Sequence, residues 1–454
     1  IINIIERNKL LRESAVRKIL FIAFIIFLIL VSLKIKFVTG TAVLCAYIFF
    51  IFISLKKGNS FSSVMDISYE YGKKVFPIIL IFIFVGTLTA TWIASGTIPG
   101  IVYFGIKFIN PNIFILFSFL ISSCVSFLIG SSFGSASTIG VALMAIARSG
   151  NVDVNIVGAA IISGIYFGDR WSPVSSSANL VAALTDTNLY ESLKNCVKSM
   201  LVPFGLSVIF YGILSGIYSL NTAESRLMYL IEKNYNLDVK YIFIPLAVIL
   251  IMSVFKINVK ISMGISSLLA AFVGIFIQNE TVMDILKYSV FGFYKFNGTE
   301  LEKIIKGGGI MSMLTSMIVV ISSCAMIGVF KQINVLKAIK EKVQHIKTRA
   351  GLFAGTFFTA VITGMIGCNQ TISIVMTEQI MEDIYKEKGI SKKDLGKDLE
   401  NTGVVTSGLI PWCIACFVPC AMLGINNIKF IPFAFYLWLL PLCSWIYYKF
   451  FYKD

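Results

Sequence analysis

Charged side chains are scarce in this sequence. Only 14% of its 454 residues are Asp, Glu, Lys or Arg, whereas 57% are hydrophobic. Soluble domains carry about a quarter charged residues, so the usual water-facing surface cannot be built from this chain. The composition therefore excludes a soluble protein and indicates that a lipid bilayer surrounds most of the chain.

Histidine and paired cysteines are also lacking. The single histidine, His345, lies in a lysine-rich connector, and the nine cysteines show no paired spacing. Zinc and other metal sites are built from such pairs, and enzymes need a nucleophile with a base or a metal cluster. We therefore expect no enzymatic activity and no resident cofactor.

Acidic residues are few, 24 against 39 Lys and Arg, which leaves a net charge of +15. The excess lies in short connectors such as residues 331–349, whereas nucleic-acid binders collect basic residues on one face of a domain. Basic connectors between apolar runs follow the positive-inside rule. The pattern excludes a nucleic-acid partner and predicts a multi-pass protein of a bacterial-type cytoplasmic (inner) membrane, with both termini in the cytoplasm.

Long apolar runs make up most of the sequence between these connectors. Together they predict an all-α polytopic membrane protein with about ten crossings. Two further apolar regions, 110–148 and 350–385, are interrupted by small polar residues and are interpreted as re-entrant hairpins. The predicted spans are residues 19–33, 37–55, 76–94, 155–186, 195–219, 241–254, 260–277, 308–330, 400–424 and 428–449.

The two halves of the chain are related. Residues 64–67 (Val-Met-Asp-Ile) recur at 282–285, and Gly367 follows Gly130 at almost the same offset as Pro411 follows Pro173. We predict a first membrane repeat at 1–220, a connector at 221–239 and a second repeat at 240–454. About five spans per half would invert the second repeat, which is the plan of secondary transporters. No charged or carbonyl ring typical of a channel is recognisable.

Candidate binding residues concentrate at four breaks in the apolar runs, because irregular backbone within a membrane is tolerated where it lines a cavity. Helix N-termini at the hairpin tips favour anions. Carbonyls freed near Pro173 and Pro411, with neighbouring hydroxyl and amide oxygens, suit a small hard cation. The candidates are Ser131, Ser132, Ser135, Ser137, Asp169, Ser172, Ser175, Ser176, Asn179, Asn369, Gln370, Thr371, Asn401, Thr406 and Ser407.

Asp169 is the most informative of these residues and the candidate ligand for a sodium ion. A carboxylate inside a span is costly and points to function. Its neighbour Arg170 offers the alternative of a structural ion pair. Trp92 is expected to be an interfacial anchor, since tryptophan is enriched at membrane boundaries.

At these breaks the chain resembles the NhaC-type sodium/proton antiporters, a branch of the ion transporter superfamily. Residues 168–179 resemble the family stretch G-D-K-x-S-P-x-S-D-T-T-N, and residues 400–413 resemble E-D-x-G-T-V-T-S-x-L-I-P-W-N. Residues 130–141 resemble G-T-S-x-G-T-x-x-T-x-G-V. The resemblance spans residues 75–425. It implies sodium- or proton-coupled exchange and a two-repeat fold with a moving transport domain. It is also compatible with a homodimer.

The departures from the family pattern concern acidic residues. Arg170 replaces a lysine, Ser176 and Asn401 replace acidic residues, and Cys413 replaces an asparagine. Fewer carboxylates would weaken cation binding and would favour a substrate that brings its own carboxylate.

Two functions are therefore left open. One is an antiporter that moves Na⁺ or H⁺ in exchange for another small ion or solute. The alternative is a Na⁺- or H⁺-coupled exchanger of a small amino acid or organic carboxylate, since the wider family includes such exchangers. A non-transporting membrane sensor would normally carry a soluble domain, and the connectors here are short.

Overall fold

The computed structural model describes residues 38–73, 76–173, 175–220, 225–255, 257–296, 307–332, 341–346 and 348–452. Within these residues the fold is all-helical, and β-pairing is confined to one isolated bridge between Phe293 and Gly307. The predicted span at 19–33 lies outside the described residues. This architecture confirms the prediction of an all-α chain with several apolar helices.

Helices of the first half follow the predicted apolar runs. Segment 132–149, called α6, is continuous and includes a π-helical turn at Ala136–Gly140. The helices are α1 (Val38–Lys56), α2 (Phe61–Lys73), α3 (Phe76–Ala94), α4 (Thr97–Phe108), α5 (Phe114–Ile129), α6 (132–149), α7 (Val154–Trp171), α8 (Ser176–Leu184) and α9 (Leu189–Ile217).

The second half contains a comparable series. A π-helical turn at Glu400–Val404 and a short 3₁₀ turn at Ser407–Leu409 extend the helix that precedes Pro411. The helices are α10 (Ser225–Asn234), α11 (Ile244–Val254), α12 (Val259–Phe276), α13 (Val282–Phe291), α14 (Leu314–Gln332), α15 (Arg349–Gly367), α16 (Gln370–Glu387), α17 (Lys392–Leu399), α18 (Ile414–Leu423) and α19 (Phe435–Phe450).

Membrane-spanning potential is spread over straight and broken helices. Among the described residues, four helices are long and apolar enough to cross a membrane, and three bent pairs raise this number to seven if each forms one span. The pair around Pro411 bends by 52°, and the pair formed by α3 and α4 bends by 68°. Long apolar helices with breaks of this kind fit a polytopic membrane protein.

Trp92 is not an interfacial anchor. Its side chain is fully buried, and its indole N–H donates to Ser266 Oγ on α12 at 2.9 Å. The expectation failed because Trp92 lies just before the bend at Gly96, which turns α4 away from α3. The bend places Trp92 inside the protein, where its N–H needs a partner.

The tightest helix packing in the first half joins α5 and α7. A Cβ atom at Gly164 would lie 2.5 Å from the Phe119 carbonyl oxygen, and one at Gly168 would clash with the Phe127 nitrogen. Ser126 Oγ donates to the Ile165 carbonyl oxygen at 2.6 Å across this interface. Small residues spaced four apart allow such close approach in membrane helices. The close packing holds the end of α7, which carries Asp169, in a fixed position.

Replacing Gly168 by Ala is expected to destabilise the protein by about 1–3 kcal/mol, the usual effect of overpacking. The measurement is the thermal unfolding midpoint of the purified protein in detergent. Gly205→Ala is the matched control, because no atom lies within 4 Å of a Cβ there. Equal midpoints for the two variants would contradict the packing argument.

Backbone geometry at the breaks repeats at one constant offset along the chain. Gly130 and Cys368 both end a helix in the left-handed region, with φ of 67° and 48°. The residues that follow them are extended, with φ of −149° and −150°. The backbone therefore pairs Gly130 with Cys368 and not with Gly367, which gives this break the same offset as that between Pro173 and Pro411.

The breaks after α7 and before α18 repeat in the same way. Ser175 has φ −68° and ψ 137°, and Cys413, which follows it at the same offset, has φ −69° and ψ 137°. The helices that follow Gly130 and Cys368 pack against the broken helices of the other half: the start of α6 contacts α18, and α16 contacts α8. The two halves are thus interlocked at their breaks.

Candidate functional site

Asp169 lies in the last turn of α7, where the chain stops being helical. Ser172 is extended, and Pro173 cannot donate a backbone hydrogen bond. The Ser175 side chain then accepts hydrogen bonds from the backbone N–H groups of Ser177 and Ala178 and caps α8. The chain therefore returns past Asp169 immediately, which brings the hydroxyls of α8 to its carboxylate.

The Asp169 carboxylate is buried and surrounded by oxygen atoms. The residue is 3% exposed, and Ser175 Oγ donates to its Oδ1 at 2.9 Å. The hydroxyls of Ser175 and Ser177 lie 2.8 Å apart. Gln370, at the start of α16, lies near the carboxylate and donates through Nε2 to the Val404 carbonyl oxygen at 3.0 Å. Hydroxyl, amide and carboxylate oxygens are the ligands of hard cations, so this cluster, the Asp169 site, can hold one.

Arg170 does not neutralise Asp169. Its guanidinium instead donates to Asn401 Oδ1 at 2.5 Å, to Ser199 Oγ at 3.1 Å and to the Tyr436 hydroxyl at 3.2 Å. These partners come from the π-helical turn at Glu400–Val404, α9 and α19. The structural ion pair considered from the sequence is therefore not formed, and Asp169 keeps its charge available for a ligand.

Glu400 is a buried carboxylate that the sequence analysis did not select. It is 1% exposed, and its Oε2 has no hydrogen-bond partner among the described residues. It lies close enough to both Asp169 and Arg170 for an electrostatic interaction with each. The sequence places Glu400 at the first position of the predicted span 400–424 and at the start of the stretch that matches the family pattern, but it was not among the candidate site residues.

The three buried charges do not cancel. Asp169 and Glu400 are acidic, Arg170 is basic, and all three are almost completely buried. With both carboxylates ionised the group carries one negative charge in excess. Because an uncompensated charge is costly inside a membrane protein, the arrangement favours the binding of one monovalent cation.

The serines of the first hairpin lie elsewhere. The Ser131 hydroxyl accepts from the Gly134 N–H, and those of Ser135 and Ser137 donate to the carbonyl oxygens of Ser131 and Gly134. Ser132 is buried beside them. This tip packs against α18 and α7, and these serines stabilise its own backbone.

The remaining predicted residues support the breaks. Asn179 donates to the carbonyl oxygens of Pro173 and Ser175, and Asn369 caps α16 by accepting from the Thr371 N–H. Ser172 is buried, whereas the side chains of Ser176 and Thr371 are exposed.

In the second half, Asn401 holds Arg170 and donates to Ser444 Oγ at 3.0 Å. Ser407 donates to the Gly403 carbonyl oxygen, and the buried Thr406 hydroxyl has no partner among the described residues.

The position in the second half that corresponds to the Asp169 site has different chemistry. At the offset that relates the breaks, Ser407 stands for Asp169, Cys413 for Ser175 and Ala415 for Ser177. All three are buried, and none carries a charge. The second half therefore has no carboxylate at the positions that correspond to Asp169, Ser175 and Ser177.

A buried ion pair lies outside the Asp169 site. Arg349 Nη2 and Asp398 Oδ2 are 2.5 Å apart, and the hydroxyls of Tyr385 and Tyr448 donate to the Asp398 carboxylate at 2.7 and 2.8 Å. The guanidinium carbon of Arg349 also lies 3.8 Å from the centre of the Tyr448 ring. This network, called the Arg349 network, joins α15, α16, α17 and α19. Its charges cancel, so it needs no ligand.

The chain is similar to several known antiporters. The chain is 28% identical over 367 residues to the "Malate-2H(+)/Na(+)-lactate antiporter" of Bacillus subtilis, covering 80% of this chain and 78% of that protein. It is 28% identical over 371 residues to the "Na(+)/H(+) antiporter NhaC" of Alkalihalophilus pseudofirmus, covering 80% and 79%. It is 24% identical over 365 residues to the "Arginine/ornithine antiporter ArcD" of Halobacterium salinarum, covering 79% and 75%.

The model of the Na⁺/H⁺ antiporter family matches residues 164–451, which include the Asp169 site, Glu400 and the Arg349 network. This match covers more than half of the chain and agrees with the NhaC-like motifs. The chain therefore belongs to the Na⁺/H⁺ antiporter family and is a secondary transporter of the antiporter type.

Proposed function

We propose that this protein exchanges Na⁺ for H⁺ across the membrane, and that Asp169 binds the two ions alternately. The observation that carries the proposal is the buried Asp169 carboxylate, which accepts from the Ser175 hydroxyl and has no basic partner among the described residues. A carboxylate in such a place binds either a cation or a proton, and both cannot occupy it together.

Each residue of the site has a role in this exchange. Sodium loses its water shell on entering, and the oxygens of Asp169, Ser175 and Ser177 replace it. When sodium leaves, protonation of Asp169 again removes the excess negative charge. Arg170 balances the charge of Glu400 and, through Asn401, ties α7 to the π-helical turn at Glu400–Val404.

We also propose a finer architecture for the membrane domain. The constant offset between the breaks supports two inverted repeats, 1–220 and 240–454, each with a re-entrant hairpin. The cross-packing of α16 on α8 supports movement of both hairpins with the site. The basic connectors support an inner-membrane location with cytoplasmic termini.

Exchange of an organic carboxylate or an amino acid is the second candidate function. It is supported by Arg170, whose Nε has no partner among the described residues and which could bind a carboxylate. It is also supported by the relatives whose names include malate, lactate, arginine and ornithine.

Reconstituted protein in liposomes that contain a pH-sensitive dye tests the proposal. A pulse of external NaCl is expected to alkalinise the lumen, because entering sodium exchanges for leaving protons, whereas choline chloride has no effect. If sodium alone moves no protons but does so once malate, lactate, arginine or ornithine is present, the second candidate function replaces the first.

A further inference from the structure

A cavity of about 620 Å³ lies between α9, α17 and α19, beside the Asp169 site. Its lining divides into a polar part and an apolar part. Lys198, Ser199, Lys397 and Asn401 belong to the first, whereas Val202, Leu206 and Phe451 belong to the second. The cavity is thus amphipathic and large enough for part of a lipid molecule.

The polar part carries positive charge that the protein does not fully neutralise. Lys198 is exposed and has no ion-pair partner among the described residues. Lys397 Nζ lies 2.9 Å from Asp394 Oδ1, so one of the two lysines is already compensated. The pair leaves one positive charge, which favours an anionic ligand.

The apolar part is formed largely by exposed side chains. Val202 is 61%, Tyr447 52% and Phe451 71% accessible. In a membrane protein such apolar surface faces acyl chains. A ligand that fits the cavity therefore combines an anionic head with an apolar tail.

We propose that this cavity binds an anionic phospholipid, with its phosphate at Lys198 and Lys397 and one acyl chain along Val202 and Leu206. Basic pockets between membrane helices bind such head groups. The occupant also touches Ser199 and Asn401, and both of these side chains accept hydrogen bonds from Arg170. The lipid site is thereby linked to the Asp169 site.

Native mass spectrometry of the purified, delipidated protein tests the proposal directly. Titration with dioleoyl phosphatidylglycerol is expected to add one tightly bound lipid, and dioleoyl phosphatidylcholine is expected to bind at least fivefold more weakly. Lys198→Gln should weaken phosphatidylglycerol binding about fivefold, the effect of one basic residue near a lipid surface. Lys194→Gln, an exposed lysine of the same helix that does not line the cavity, should leave binding unchanged.

A second variant and a soluble competitor test whether the apolar part of the cavity contributes to binding. Leu206→Trp fills the space for the acyl chain and should abolish the tight lipid while both lysines remain. Glycerol 3-phosphate should not displace the lipid. Displacement by this soluble phosphate, equal binding of the two lipids, or equal effects of the Lys198 and Lys194 variants would overturn the proposal. Lipid binding is measured without transport. A negative result would therefore refute the lipid proposal and leave the proposed Na⁺/H⁺ exchange untouched.

Discussion

Replacing Asp169 by Asn is expected to lower sodium-driven proton movement in liposomes about a hundredfold. Asparagine keeps the shape of the side chain and can still accept from Ser175 Oγ, so the fold should persist. The excess negative charge disappears, however, and a sodium ion in the site would be uncompensated. An uncompensated charge at the centre of a membrane helix costs about 2.5–3.5 kcal/mol, which corresponds to a loss of this size.

The control for this variant is Ser176→Ala, which changes an exposed side chain on the same break. It should transport at the wild-type rate. The thermal unfolding midpoint of Asp169→Asn, measured alongside, should stay within a few degrees of wild type and should no longer respond to sodium. Sodium/proton exchange at the wild-type rate in Asp169→Asn would refute the role proposed for this residue.

Replacing Asp398 by Asn is expected to reduce the free energy of unfolding by about 3–5 kcal/mol, the usual effect of breaking one side of a buried ion pair. The loss arises because Arg349 would keep its charge with no carboxylate to balance it. The thermal unfolding midpoint in detergent is the measurement. We expect a large decrease in this midpoint or a failure to obtain folded protein.

Two further variants distinguish the effect of an unpaired buried charge from non-specific destabilisation of the fold. The double variant Arg349→Met, Asp398→Leu removes both charges and should recover most of the lost stability, since apolar replacements of a buried pair are tolerated. Lys393→Ala, which removes an exposed pair with Glu191, should cost less than about 1 kcal/mol. A double variant no more stable than Asp398→Asn would show that the Arg349 network is required for more than charge balance.

Much of the fold could be predicted from apolar runs. The predicted run at 37–55 corresponds to helix α1 (Val38–Lys56), and the run at 76–94 corresponds to helix α3 (Phe76–Ala94). Both agree because a bilayer requires long apolar helices. Helix α2 at Phe61–Lys73 was not predicted, since it mixes polar and apolar residues. The bend at Gly96 was visible as a Gly- and Pro-containing stretch, but its effect on Trp92 depended on contacts with α12.

The site could be predicted only in part. Asp169, Ser175 and Gln370 were selected because each lies at one of the predicted breaks, and they come together because α16 packs against α8. Glu400 was missed, since burial of a residue that follows a charged helix is decided by tertiary packing. The partners of Arg170 lie up to 266 residues away in sequence, and local pattern carries no information about contacts at that distance.

Under the exchange proposed above, the single negative charge in excess among Asp169, Arg170 and Glu400 with both carboxylates ionised has an electrical consequence. A carrier that takes one sodium ion in one direction and one proton in the other moves the same charge each way. The full cycle then transfers no current, and the membrane voltage does no work on it. Such an exchanger runs in whichever direction the two concentration gradients dictate, and depolarising the membrane leaves its rate unchanged.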